Sequence, residues 1–284
     1  MNAKLTTVRA GALTTVQDAG RRGHAHLGVP RSGALDAYAL RLANRLAGND
    51  ADAAVLETTL TGCALRSDRA VTVVVGGAPC PVTVDGRPVA WGAPVRVPAG
   101  GVLDVGAVAA GVRSYVAVAG GIAVEPVLGS RSTDLLSGLG PAPLRDGDVL
   151  PVGVPARPAP SVAAPWPGPP AELILPVRPG PRADWFTPAA LRTFTSATYR
   201  VSPHSNRIGL RTEGPPLQRA STGELPSEGM VLGAVQVPPD GRPVVFLHDH
   251  PTTGGYPVIA VVAESALAAA AQAAVGTPVR FTPG

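Results

Sequence analysis

Residues 244–262 read VVFLHDHPTTGGYPVIAVV. Val244–Leu247 and Val258–Val262 are apolar, β-branched runs bounded by turn residues, the pattern of buried strands. A hairpin between two such strands needs about two to five residues. The chain places about ten there, His248 to Pro257, among them an acid, two imidazoles, two hydroxyls, two glycines and a phenol. Loops carried on a rigid sheet are where binding chemistry concentrates, and a Gly pair lets backbone N–H groups come close to a ligand. The stretch therefore predicts a β framework that carries a site, without naming a reaction.

The strand pattern continues on both sides. In the second half, strands are expected at Glu172–Arg178, Tyr199–Val201, Gly233–Val237 and Pro278–Phe281. A short helix starts with Thr187 as N-cap and Pro188 in its first turn, and an alanine-rich helix spans roughly Ser265–Ala274. In the first half, a strand at Leu5–Val8 precedes a polar loop over Thr14–Arg31. A helix follows, with Asp36 as N-cap, Leu35, Ala39, Leu42 and Leu46 at helical spacing, and Gly48-Asn49 as its stop. Beyond Glu57 the period becomes two. Val71–Val75, Val82–Val84, Val95–Val97, Val102–Val105 and Tyr115–Val118 read as strands, with Asp85-Gly86 as a hairpin turn. Residues 151–171 are rich in Pro and Ala and nearly uncharged, which fits a semi-rigid connector or one long surface loop. The expected organisation is an N-terminal β-rich half with one helix (1–150), the connector (151–171) and a C-terminal β half (172–284). The fold class is mainly β with a few short helices, in two β-rich halves.

Composition narrows the function. The chain has 284 residues, enough for one large core or two smaller ones, and its 34 Gly and 32 Pro favour many short elements over long helices. Among 24 basic residues the only lysine is Lys4, in a stretch expected to fray. That argues against a Schiff-base lysine, a pyridoxal site and a Walker-type phosphate loop. A nucleotide bound here would be held by arginine, by backbone N–H groups or by a partner chain. The net charge of +4 comes from scattered arginines with no basic block interleaved with aromatics, which argues against nucleic-acid binding. Cys63 and Cys80 read as two small buried hydrophobes. No charged-then-apolar leader and no apolar run of spanning length is read, so a cytoplasmic location is expected.

The candidate site residues fall in three polar segments. His248 and His250, like His24 and His26, are i, i+2 pairs able to offer two metal ligands, but neither has a third ligand at an obvious helical spacing. Hydrogen-bonded loop histidines are the alternative, and no metal site is assigned. Asp249 would point away from the two imidazoles and is the candidate catalytic carboxylate. Thr252, Thr253, Gly254, Gly255 and Tyr256 offer neutral donors suited to an amide, ureido or carboxylate group, with a threonine-capped turn as the structural alternative. Arg207 gives a planar fork for a carboxylate or phosphate, with Ser205 and Asn206 beside it and Gln236 as a further neutral reader. The third loop, Gly129–Asp134, is either part of a site or a helix start capped by Asp134 with Arg131 paired to an acid. No G-x-S-x-G elbow and no nucleophilic Cys motif appears. Polar loops without a nucleophile or phosphate loop read as part of a shared site that another polypeptide completes.

These residues carry a resemblance. Thr14–Arg21, Gly28–Asp36, Ala43–Leu46, Leu56-Glu57, Ala119–Gly121, Leu128–Asp134, Ser205–Gly209, Ser227–Gly229, Gln236–Asp240 and Asp249–Pro257 resemble, in order and over nearly the whole chain, the family of 5-oxoprolinase C subunits. Its members are also described as biotin-dependent carboxyltransferase or allophanate hydrolase subunit 2. His250-Pro251 stands where many relatives have Arg-Gln. The resemblance implies a cyclophilin-like β-barrel and a partner of the kinase-inhibitor-like type, the B subunit of 5-oxoprolinase. With an A subunit as well, such an assembly would open the lactam of 5-oxo-L-proline to glutamate using ATP, bound either by this chain or by a partner. The resemblance leaves two other functions open. One is half of a biotin-dependent carboxyltransferase acting on urea or a related amide; the other is a non-catalytic regulator of a kinase-inhibitor-like protein.

Overall fold

A computed structural model of the chain describes every residue except Met1, Ser161, Ala163 and Thr222. The chain divides into two compact units. The first comprises Met1–Arg21, Ser32–Asp134 and Gly138–Pro169; the second comprises Arg22–Arg31, Leu135–Ser137 and Pro170–Gly284.

Eleven strands build the first unit: β1 (Lys4–Arg9), β2 (Leu13–Gln17), β3 (Val55–Thr59), β4 (Cys63–Ser67), β5 (Val71–Gly77), β6 (Val82–Val84), β7 (Arg87–Pro88), β8 (Pro94–Val97), β9 (Val102–Val105), β10 (Arg113–Val118) and β11 (Val149–Pro151). They form a six-stranded sheet, β11-β1-β4-β9-β6-β7, and a five-stranded sheet, β2-β3-β10-β5-β8. Period-two alternation assigns the faces. Val73, Val75, Val116 and Val118 meet Leu5, Leu65 and Leu103 of the other sheet in one core. Val74, Tyr115 and Ala117 face the opposite way, onto helix α1 (Ala37–Ala47). Both faces of β5 and β10 are therefore covered, one by the other sheet and one by α1. Helix α1 has the expected signals: Asp36 Oδ1 accepts from Ala39 N at 2.9 Å, and Gly48 ends the helix in the left-handed conformation. Asp85-Gly86 also forms its hairpin turn, with φ of 50° and 74° between β6 and β7.

Two expectations are corrected here. The polar loop expected from Thr14 is a buried strand, β2, as far as Gln17. Its polar side chains are accommodated by hydrogen bonds, such as Thr14 Oγ1 to the Ala10 carbonyl and Gln17 Nε2 to the Thr133 carbonyl. Lys4 does not fray; it begins β1, and its N–H donates to Asp68 Oδ1. In the Pro/Ala-rich segment, Trp166 is packed into the first unit, its indole N–H donating to the Gly92 carbonyl and its ring beside Trp91. Ser161 and Ala163 of that segment lie outside the described residues.

The second unit is a closed barrel of β12 (Leu173–Pro179), β13 (Tyr199–Val201), β14 (Gly209–Glu213), β16 (Ala234–Gln236), β17 (Val244–Phe246), β19 (Val258–Val262) and β20 (Pro278–Pro283), in the order β12-β19-β16-β17-β14-β13-β20. A separate two-stranded ladder joins β15 (Glu228–Gly229) to β18 (Thr253–Gly254). Helix α2 (Pro188–Ser196) is capped by Thr187 and sends Phe194 to stack on Phe281, which Tyr199 meets edge-on. The alanine-rich segment starts as a 3-10 turn over Glu264–Ala266 and continues as α3 (Leu267–Gln272). The chain is thus mainly β with three short α-helices among the described residues, as the sequence predicts.

Candidate functional site in the barrel unit

Strand pairing explains the long polar loop. β16 is antiparallel to both β17 and β19 and lies between them. β17 and β19 therefore run parallel, and a hairpin cannot join them. The chain leaving Phe246 has to travel back along β16 before it enters Val258. Part of the loop's length is topological. The expectation that a tight connection would suffice is corrected.

The crossover is fixed at several points. At its root, His250 is buried and its ring stacks on Phe246 with centroids 5.8 Å apart, while Nδ1–H donates to the Pro251 carbonyl at 2.7 Å. Midway, Met230 N donates to the Thr252 carbonyl at 2.8 Å, and the β15–β18 pairing sets Glu228 opposite Gly254. Glu228 is gripped by both edges of the Arg182 guanidinium, with Nε at 2.9 and 3.1 Å from its two oxygens. This hydrogen bonding holds the Glu228 carboxyl below its ordinary range. At the far end, Gln236 Nε2 donates to the Tyr256 carbonyl at 3.0 Å. Glycine at 254 keeps this packing open: a Cβ there would stand 2.9 Å from Gln236 Nε2 and 3.3 Å from Met230 Cε, the ends of two flexible side chains that would have to move. Gln236 and Thr252–Tyr256 thus form one strip, with Thr253, Gly255 and Tyr256 exposed.

The remaining candidates form a second group. β14 begins beside the end of β17, with Gly209 opposite Phe246, so the residues before β14 and after β17 meet. Asp249 N donates to the Arg207 carbonyl. The Arg207 guanidinium donates Nε and Nη2 to the two Asp249 oxygens at 2.9 and 3.0 Å, and Leu135 N reaches Asp249 Oδ2 at 3.3 Å. Arg207 is 1% and Asp249 0% exposed. The fork that the sequence reading reserves for a substrate anion is filled by a carboxylate of the same chain. Asp249 is a buried acid, as expected, and its oxygens face that guanidinium, which ties the residues before β14 to the start of the crossover. Asn206 is exposed, and its Oδ1 accepts from Ile208 N and Gly209 N in a local turn. Ser205 Oγ exchanges hydrogen bonds with the Arg211 backbone.

The two groups lie at opposite ends of the β16–β17 ladder, Tyr256 by Gln236 and Arg207–Asp249 by Phe246, and the crossover joins them. Sequence reasoning assigned no roles to Arg182, Glu228 and Arg219. Arg219 Nη2 donates to the Val237 carbonyl at 2.5 Å, and its guanidinium lies 6.0 Å from the Tyr256 ring centre. The signal for Glu228 was the Ser227–Gly229 segment; its partner, 46 residues away, left none.

In the first unit, the Gly129–Asp134 loop is a buried polar frame rather than a helix start. Asp18 accepts from Ser130 Oγ, Ser132 Oγ and Arg131 N, each at 2.6 Å, and from Gly20 N at 2.8 Å. Arg131 Nε donates to the Val124 carbonyl. Among the described residues no group of three or more His, Cys, Asp or Glu could hold a metal ion, and no helix is long and apolar enough to cross a membrane.

A chain with one barrel unit bearing these loops and one unit of two packed sheets has counterparts. The family model for the carboxyltransferase domain, subdomain A and B, matches residues 27–283, and the chain belongs to that family. Within it, the chain is 40% identical to the C subunit of 5-oxoprolinase from Escherichia coli (strain K12), over 98% of this chain and 90% of that protein. It is 35% identical to urea amidolyase of Lachancea kluyveri, over 96% of this chain but only 16% of the relative. The crystal structure of TTHA0988 superposes with a TM-score of 0.90 at 38% identity, covering 99% of this chain and 56% of that one.

Proposed function

We propose that this chain is the C subunit of an ATP-dependent 5-oxoprolinase. With partners of the B and A types, it opens the lactam of 5-oxo-L-proline to L-glutamate. The observation that carries this reading is the end-to-end match to a 5-oxoprolinase C subunit, across 90% of that protein. The match to urea amidolyase covers a single module of a far larger chain.

A five-membered lactam is a poor electrophile. Transfer of the γ-phosphoryl group of ATP to its carbonyl oxygen releases ADP and leaves the carbon open to water. Addition of that water and cleavage of the C–N bond, with the ring nitrogen taking up a proton, give γ-glutamyl phosphate, and a second water then displaces phosphate to give glutamate. In this reading the hydroxyls of Thr252 and Thr253, the Tyr256 phenol, the Gln236 amide and the Gly255 N–H orient the lactam, and Gly254, paired with Glu228, lets the strip lie close to it. Ser205 and Asn206 shape the other end of the ladder. Arg207 and Asp249 fix the root of the crossover. The nucleotide is held by arginine, backbone N–H groups or a partner, since Lys4 is the only lysine.

A second reading has its own support: the family description is of a carboxyltransferase, and urea amidolyases share the module. Such an enzyme would need its biotin carrier from another polypeptide. Incubating the chain, co-purified with its partners, with 5-oxo-L-proline and ATP separates the cases. Glutamate formation supports the first reading. Carboxylation of urea or a related amide in its place supports the second, and tight partner binding without either turnover makes the chain a regulator.

A further inference from the structure

With the Arg207 fork filled, an acidic ligand in the barrel unit needs another cation. Arg219 stands next to the Gln236–Tyr256 end of the crossover. It lines a cleft of about 510 Å³ walled by Pro216, Pro238 and Pro239. No carboxylate pairs with it among the described residues, and its Nε has no hydrogen-bond partner. One donor is spent on the Val237 carbonyl, and the Tyr256 ring centre lies 6.0 Å from the guanidinium. Nε is buried, but a guanidinium that lines a cleft and pairs with no carboxylate among the described residues leaves an unfilled demand for a planar anion. Asp240 lines the same cleft; one of its oxygens accepts from Arg242 N at 3.1 Å, and the carboxylate retains capacity for an N–H donor.

We propose that Arg219 is the carboxylate-binding residue of this unit, and that its cleft takes a small carboxylic acid bearing an N–H group. The choice of 5-oxo-L-proline as that acid rests on the function proposed above; the anion chemistry does not. Val237 links the two sites, because its neighbour Gln236 holds the Tyr256 carbonyl while its own carbonyl holds Arg219.

The test compares binding of 5-oxo-L-proline and its neutral carboxamide to the full chain by calorimetry. The unaltered protein is expected to prefer the acid by about tenfold or more, the range of one charge-assisted hydrogen bond. Arg219→Gln should abolish the preference by weakening the acid alone, and Arg219→Lys should retain part of it. Equal weakening of both ligands, or an unchanged preference in Arg219→Gln, overturns the proposal. If Arg219→Gln does not fold, side-chain NMR of the unaltered protein decides. An Arg219 Nε–H shift with the acid and none with the carboxamide supports the site, and its absence refutes it. Acid-selective binding in an assembly that makes no glutamate would sink the proposed function and leave this site standing. Glutamate formation with an unchanged KM in Arg219→Gln would do the reverse.

Discussion

Asp249→Ala puts the central positioning claim at risk. It would leave the Arg207 guanidinium, 1% exposed, without the carboxylate that takes its Nε and Nη2, and would leave Leu135 N without its acceptor. Breaking a buried ion pair by removing one partner costs about 3–5 kcal/mol, because the remaining charge stays buried. For a unit of this size that is a fall in Tm of about 10 °C or more. Replacing both partners with apolar residues of similar volume, Arg207→Met with Asp249→Leu, removes the stranded charge and should cost less than the single change. Urea unfolding of the unaltered protein, Arg207→Met, Asp249→Leu and the double variant in a double-mutant cycle measures the coupling directly. A single-mutant loss below about 1 kcal/mol, or effects that add within about 0.5 kcal/mol, would show that the pair does not fix the crossover.

Glu228, held below its ordinary carboxyl range by Arg182, contributes order to the β15–β18 ladder that is present above the unfolded pKa and lost as pH falls through the lower folded value. Amide exchange at Thr253 and Gly254 should accelerate on acidification in the unaltered protein; in Glu228→Gln it should be fast at every pH. Burial pushes the Cys63 thiol up to about 12, so a thiol reagent at mildly alkaline pH should label Cys63 only on unfolding, and prompt labelling of the native chain would contradict its burial. The same shift makes the stability it contributes complete below the unfolded thiol value and lost as pH rises towards about 12. Gly254→Ala should displace the Gln236 amide and lower turnover of the assembled enzyme several-fold while shifting Tm little; unchanged kinetics would detach this strip from the chemistry.

Local signals made the helices legible. Asp36, the i, i+3, i+4 spacing and Gly48 determine α1 within a short stretch, and Thr187-Pro188 does the same for α2. Strands were legible where both faces are apolar, as in β5 and β10. They were hidden where buried polar groups replace the alternation. β2 reads LTTVQ, yet Thr14, Thr15 and Gln17 are all buried: Thr14 bonds to the Ala10 carbonyl, Thr15 accepts from Gln17, and Gln17 reaches the distant Thr133 carbonyl. β14 has the same difficulty in Thr212, buried and bonded to the Pro243 carbonyl. The Asp18 frame joins residues more than a hundred positions apart, and no local pattern announces such a partner. For the same reason Arg207 looked like an available fork: its acid lies 42 residues further on.

The crossover also shows how far loop length can be read as function. From the end of β17 to the start of β19 the chain must pass one strand's width on each side of β16, about 9–10 Å in all, and move a similar distance along it. An extended chain covers about 3.3 Å per residue, so about four or five residues would make the crossing. About ten are present. Topology therefore accounts for roughly half the loop, and the surplus still needs a purpose. Much of the surplus runs along Thr252–Gly255, the segment that pairs with β15, is braced through Glu228 by Arg182, and leaves Thr253 and Gly255 exposed. A loop that only had to cross would be shorter and would need no such brace. The surplus and the brace together, rather than the length alone, are what supports the proposal that this strip meets a ligand.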